Sequence, residues 1–131
     1  MRFLLKNWTE ICIRIVAIVL TFITVQHPVI ASSIDSIILY PVPLDPEKQT
    51  LTIEDRKKEY SGKSILVHLQ VYDINGDLLF SRNYNSLPVY WKGYSTSGKK
   101  VSNGVYIVKL TIEDLDSGLT GKKLFRIIVK K

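Results

Sequence analysis

The run Ile65-Leu66-Val67-His68-Leu69-Gln70-Val71-Tyr72, followed by Asp73-Ile74-Asn75-Gly76-Asp77, decides the fold class. Ile65, Val67, Leu69 and Val71 point one way, and His68 and Gln70 point the other. Period-two alternation rich in β-branched residues marks a strand with one buried face. Asn75-Gly76 then predicts a tight two-residue hairpin, because both central residues of that turn need positive φ. Residues 78–82 form the returning strand.

The same pattern recurs toward the C-terminus. Residues 105–113 alternate with Tyr106, Val108, Leu110 and Ile112 on the buried side, and 123–130 return with Phe125, Ile127 and Val129 inward. The stretch 114–121, carrying Asp-Ser-Gly and Thr-Gly, is the turn between them. Shorter strands are expected at 37–40, 50–54 and 89–91. No stretch after residue 31 keeps a helical period, and turn signals fall every ten residues or so. Together these features predict an all-β chain, an antiparallel β-sandwich of about seven strands of immunoglobulin or fibronectin type III kind.

The N-terminus reads differently. Met1-Arg2-Phe3-Leu4-Leu5-Lys6 is basic, and residues 15–25 after Arg14 are an unbroken apolar run, shorter than a comfortable bilayer span. Pro28 then breaks the helix. Val29 and Ala31 supply the small residues that a signal peptidase needs, so residues 1–31 are expected to be a signal peptide cut after Ala31. The alternative is an uncleaved N-terminal anchor, which would be the chain's one contact with a membrane. Residues 32–131 form the single expected domain.

Composition narrows the function classes. The chain has 131 residues, 46% hydrophobic and 23% charged, which are globular values. Its one cysteine, Cys12, lies in the leader, so no internal disulfide, CxxC zinc site or lipid-bearing cysteine at the cleavage point can form. The leader holds Arg2, Lys6 and Arg14 against Glu10, and its removal leaves a milder basic excess than the whole chain's +6. Export places the protein outside the cytoplasm, in the periplasm, at the cell surface or in the medium, which excludes nucleic acid as a partner.

Motifs that could carry chemistry have simpler readings. Ser61-Gly62-Lys63-Ser64 ends like a phosphate-binding loop but lacks the upstream Gly and the following helix. Asp73, Asn75 and Asp77 have calcium-loop spacing, yet Gly76 comes one position early and Tyr84 stands where a Glu is needed. Ser97-Gly98-Lys99-Lys100 contains Ser-x-x-Lys in a Gly-containing turn rather than at a helix start. His68 is the one histidine after the leader and faces outward in mid-strand. Catalytic, cofactor and metal residues are therefore expected to be absent, with a small secreted hydrolase the remote alternative. The basic clusters 56–58, 99–100, 122–123 and 130–131 read as solvated edges, with an anionic envelope polymer as their other reading. Tyr84, Tyr90, Trp91 and Tyr94 are the densest aromatic group. Trp91 is expected in the core, and Tyr84, Tyr94, Lys99 and Lys100 are the candidate contact surface.

Trp91-Lys92-Gly93, Gly98, Val101 and Asn103-Gly104-Val105-Tyr106 together resemble the Ig-like domain of the bacterial flagellar hook-capping protein (FlgD). The stretch Val71-Tyr72-Asp73-Ile74-Asn75-Gly76 is similar to that family's hairpin, and Tyr40-Pro41-Val42-Pro43-Leu44-Asp45-Pro46 to its opening motif. Lys92 stands where the family has Asp, and Val42 where it has Asn. The resemblance implies structural roles for Trp91, Gly93, Gly98, Gly104, Tyr106, Asp73 and Gly76. Glycines at such turns suit positive φ, and Tyr106 is placed as a tyrosine corner. A related branch is the C-terminal sorting domain of type IX secretion, which the ending from Lys122 to Lys131 resembles. Because sorting domains normally trail a large cargo and this chain shows none, the first expectation is a free-standing, non-catalytic module for protein assembly or attachment in the cell envelope. Sorting is the alternative.

Overall fold

The computed structural model describes residues 34–131. Seven strands follow in order: β1 (Ile37–Tyr40), β2 (Leu51–Asp55), β3 (Ile65–Asp73), β4 (Leu78–Tyr84), β5 (Val89–Trp91), β6 (Gly104–Asp114) and β7 (Thr120–Val129). They form a three-stranded sheet, β1-β2-β5, and a four-stranded sheet, β4-β3-β6-β7, with every pairing antiparallel. The all-β sandwich is thus as expected. The signal peptide, its cleavage after Ala31 and Cys12 lie outside the described residues.

Strand order separates the two expected types. In a constant-type immunoglobulin domain the fourth strand joins the first sheet. Here β4 pairs with β3 instead, giving three strands against four. The alternating residues of β3 and β6 supply the centre of the core, where Val67, Leu69, Val71, Val108 and Leu110 are fully buried.

The hairpin after β3 differs from the expected two-residue turn. Gly76 takes positive φ (+88°) but Asn75 does not. Gly76 N–H donates to Asp73 O at 3.1 Å, and Asp73 N–H donates to Asp77 O at 3.0 Å, so the four-residue turn 73–76 has the left-handed Gly76 as its last residue. The cause is Asp73, whose Oδ1 accepts the N–H groups of Asn75 and Asp77, both at 2.9 Å. That side-chain acceptor organises a longer loop than the Asn-Gly pair alone would select. On the returning strand, Val71 faces Phe80 and Tyr72 faces Leu78, leaving Leu79 as a bulge. Leu79 and Phe80 therefore both pack against the core.

β7 begins at Thr120, earlier than its side chains suggest. Gly121 pairs with Ile112 and is buried, yet it offers no side chain to continue the alternation. The loop between β6 and β7 is closed by Gly118 N–H to Asp114 O at 2.7 Å and Asp114 N–H to Leu119 O at 2.9 Å.

One element had no signal in the periodicity. Leu44, fully buried, forms a single parallel bridge with Val129. Its N–H donates to Ile128 O at 2.8 Å, and Lys130 N–H donates to Leu44 O at 2.9 Å. The chain thus leaves β1, which belongs to the smaller sheet, and straps onto the last strand of the larger one.

Candidate functional site

The open side of the sandwich lies between β4 and β5, the edge strands of the two sheets. β5 alternates buried Val89, exposed Tyr90 and buried Trp91. Trp91 is 2% exposed, and its ring centroid lies 6.3 Å from Phe80 and 6.4 Å from Tyr106. Its indole N–H donates to Tyr94 O at 2.8 Å, which satisfies the one polar atom it carries inward. Tyr106 O–H donates to Ser102 O at 2.6 Å, tying the chain just before β6 in the manner of a tyrosine corner.

Around Trp91 runs a groove of about 460 Å³ lined by Phe80, Tyr84, Pro88, Val89, Tyr90 and Tyr94, with Arg82 and Lys92 as its charged members. Tyr90 is 54% exposed and Tyr94 42%. Tyr84 O–H donates to Tyr90 O across the seam at 3.4 Å, and the Arg82 guanidinium sits 5.9 Å from the Tyr84 ring centroid. Among the described residues no carboxylate lines the groove. Aromatic faces beside unopposed cations suit flat or apolar groups that carry negative charge.

The structure brings Tyr84 and Tyr94 into this groove but leaves Lys99 and Lys100 outside it. Lys99 lies in a loop where Ser95 N–H donates to Lys99 O at 2.8 Å and Lys99 N–H donates to Ser95 Oγ at 3.1 Å. Lys100 Nζ is 2.9 Å from Glu47 Oε1, and this bond raises the lysine's pKa and lowers the glutamate's. Both lysines line a separate depression with Ser97, Val101 and Tyr106. Arg82, Tyr90 and Lys92 were missed as groove residues. The exposure of Tyr90 was readable, since it alternates with the buried Val89 and Trp91.

Gly93 is held by two constraints at once. Its φ is +77°, and a Cβ there would lie 2.7 Å from Pro46 Cβ. Gly98 and Gly104 have φ values of +82° and +159°. Asp73 and Gly76 belong to the hairpin described above.

The remaining motifs are engaged locally. Lys63, from the Ser-Gly-Lys-Ser stretch, lies 3.5 Å from Asp114 Oδ2 and 5.6 Å from the Tyr60 ring centroid. His68 Nε2 meets Ser81 Oγ at 2.9 Å on the outer face of the larger sheet. Among the described residues no group of three or more His, Cys, Asp or Glu is placed to hold a metal ion. No helix among them is long and apolar enough to cross a membrane.

These features define a class first: a seven-stranded antiparallel β-sandwich module with sheets of three and four strands. The family follows from the comparisons, for residues 39–125 match the secretion system C-terminal sorting domain, and the chain belongs to that family. Two solved structures from Porphyromonas gingivalis are similar to it. PorZ, described as an essential bacterial surface component of the type IX secretion system, is 29% identical with a TM-score of 0.53. The match covers 77% of this chain and 12% of PorZ. Dimeric latent PorU, at 22% identity and a TM-score of 0.55, shares the fold over 71% of this chain and 9% of its own. No curated protein matches the sequence. Of the two expected roles, these findings back sorting better than a free-standing assembly module, and the family is one of secreted or cell-surface proteins.

Proposed function

We propose that residues 34–131 act as a non-catalytic sorting module, read by the type IX secretion machinery after export across the inner membrane. The carrying observation is that the family match, residues 39–125, coincides with the sandwich from β1 into β7. Secretion or cell-surface display is its destination, and its partners are protein components of that pathway. The aromatic groove supports a contact role, since Tyr90 and Tyr94 keep large ring surface in solvent beside Arg82 and Lys92.

The test places residues 34–131 behind an exported fluorescent reporter in a bacterium with a working type IX system. Delivery of the reporter to the surface or medium, lost when the translocon is disabled, is the expected result. Retention in the periplasm sinks the sorting reading. For the non-catalytic reading, the full chain is assayed against model ester and peptide substrates. Turnover abolished by His68→Ala would refute it.

A further inference from the structure

The outward face of the larger sheet is divided along its strands. At one end its registered rows are mostly polar: Leu66, Glu113 and Thr120 in the outermost, Asn83, His68, Thr111 and Lys122 in the next, then Ser81, Gln70 and Lys109, a row that Leu124 ends on β7. At the other end, nearer the β3–β4 hairpin, the row is Leu78, Tyr72, Ile107 and Arg126, and beyond it Val105 pairs with Ile128. Leu124, paired with Lys109, borders this apolar end. Leu78 is 51% exposed, Leu124 67% and Ile128 48%. These side chains face away from the core, because their strand neighbours Val71, Tyr106, Val108, Ile127 and Val129 fill it.

The outward charges on β6 and β7 are Lys109, Lys122 and Arg126 against Glu113, and none of the four takes part in an ion pair among the described residues. Apolar surface of this kind, contiguous across four strands and flanked by unpaired cations, is what an interface centre and its rim look like. A second copy docking through the same face in two-fold fashion would bring its cations against these ones, which disfavours it.

We infer that this end of the sheet is a docking surface for a partner protein that presents an apolar patch edged by carboxylates. The inference deepens the sorting reading and rests on it for the partner's place in the secretion pathway. Leu124 and Ile128 fill the contact centre, and Arg126, registered between them, supplies the charge that selects the acidic rim.

The experiment puts the photo-cross-linking residue p-benzoylphenylalanine at Leu124 or Ile128 of the full chain, in a bacterium running type IX secretion. Asn83, on the polar end of the same face, and Tyr90, in the aromatic groove, serve as comparison positions. An adduct from 124 and 128 but not from 83 is expected. Its captured peptide should be rich in Asp and Glu, and Arg126→Glu should lower the yield at least about tenfold. All four positions are exposed, so the substitutions should leave the fold intact, which circular dichroism of each variant checks. An adduct only from Tyr90, an adduct with a second copy of the chain, or a captured peptide without acidic residues overturns the inference. An intact, Arg126-dependent adduct with the chain held in the periplasm upholds the surface and sinks the sorting reading instead.

Discussion

Along the side where β1 meets β7, the two sheets are joined largely by main-chain groups. Leu44 straps onto β7 through two backbone hydrogen bonds, and Lys123 Nζ donates to Ile37 O at 2.9 Å and Ile34 O at 3.4 Å. Along the side where β4 meets β5, Phe80, Tyr84 and Trp91 seal the gap with rings. Thr96 covers the β4 edge, its N–H donating to Leu79 O at 2.9 Å and its Oγ1 accepting from Ser81 N–H at 3.2 Å. A seam closed by aromatic side chains gains packing energy on one side of the rings and keeps contact surface on the other. The inward-pointing Lys123 also guards the β1/β7 side against edge-to-edge pairing, a role for which edge strands often carry such charges.

The aromatic seam should therefore carry more of the stability. Trp91→Ala is expected to cost about 3–5 kcal/mol, by transfer and cavity terms together. Urea unfolding followed by circular dichroism measures this, and a loss under about 1 kcal/mol would mean that the rings are decoration rather than core. Gly93→Ala comes next, at about 1–3 kcal/mol, because the left-handed backbone and the approach of Pro46 are both violated. Since Pro46 follows the Leu44 strap, that substitution reaches both seams.

Smaller effects distinguish the seams more sharply. Lys123→Met should cost about 1 kcal/mol, because losing the half-buried amine takes its hydrogen bond from the Ile37 carbonyl. The same variant should self-associate more in sedimentation velocity, as an unguarded edge invites pairing. Tyr84→Phe, which removes only a long hydroxyl contact, should stay within about 0.5 kcal/mol of the parent. If Tyr84→Phe proved the more costly of the two, the aromatic seam would be closed by its hydroxyl and not by its rings.

How legible these seams were in the sequence follows from the range of the interactions. β3, β6 and β7 announce themselves because each strand is half-buried along its length, so burial writes period two into the residues. Trp91 was readable as core from its alternation with Tyr90. The Leu44 strap was not, since one residue bridging to a strand far along the chain leaves no period. The turn at Asn75-Gly76 was misread because Asp73, two positions earlier, competes for the same amides. Tyr84, Tyr90 and Tyr94 stood out as aromatic, but only the meeting of β4 and β5 decides which of their faces stay wet. Lys99 and Lys100 looked like part of that surface, whereas the Glu47 partner and the loop hydrogen bonds direct them elsewhere.

Acid separates the two seams most finely. The Asp45 carboxylate, beside Leu44, accepts from Lys48 Nζ at 2.8 Å and from Glu47 N–H at 3.0 Å. The Lys48 bond first, and the Glu47 amide second, hold its pKa below the ordinary carboxylate value. A group whose folded pKa is depressed contributes its stabilisation above the unfolded pKa and loses it as pH falls through the folded one. The strap should therefore loosen below the usual carboxylate range, while the aromatic groove, with no carboxylate among the described residues of its lining, should not respond. Amide hydrogen exchange reads this directly: exchange at Leu44 and Lys130, corrected for the intrinsic pH dependence, should rise on acidification, with Trp91 unchanged. Asp45→Asn should abolish the strap's response. An equal response at both seams would mean that one cooperative opening governs them, and that the backbone stitching has no independent stability.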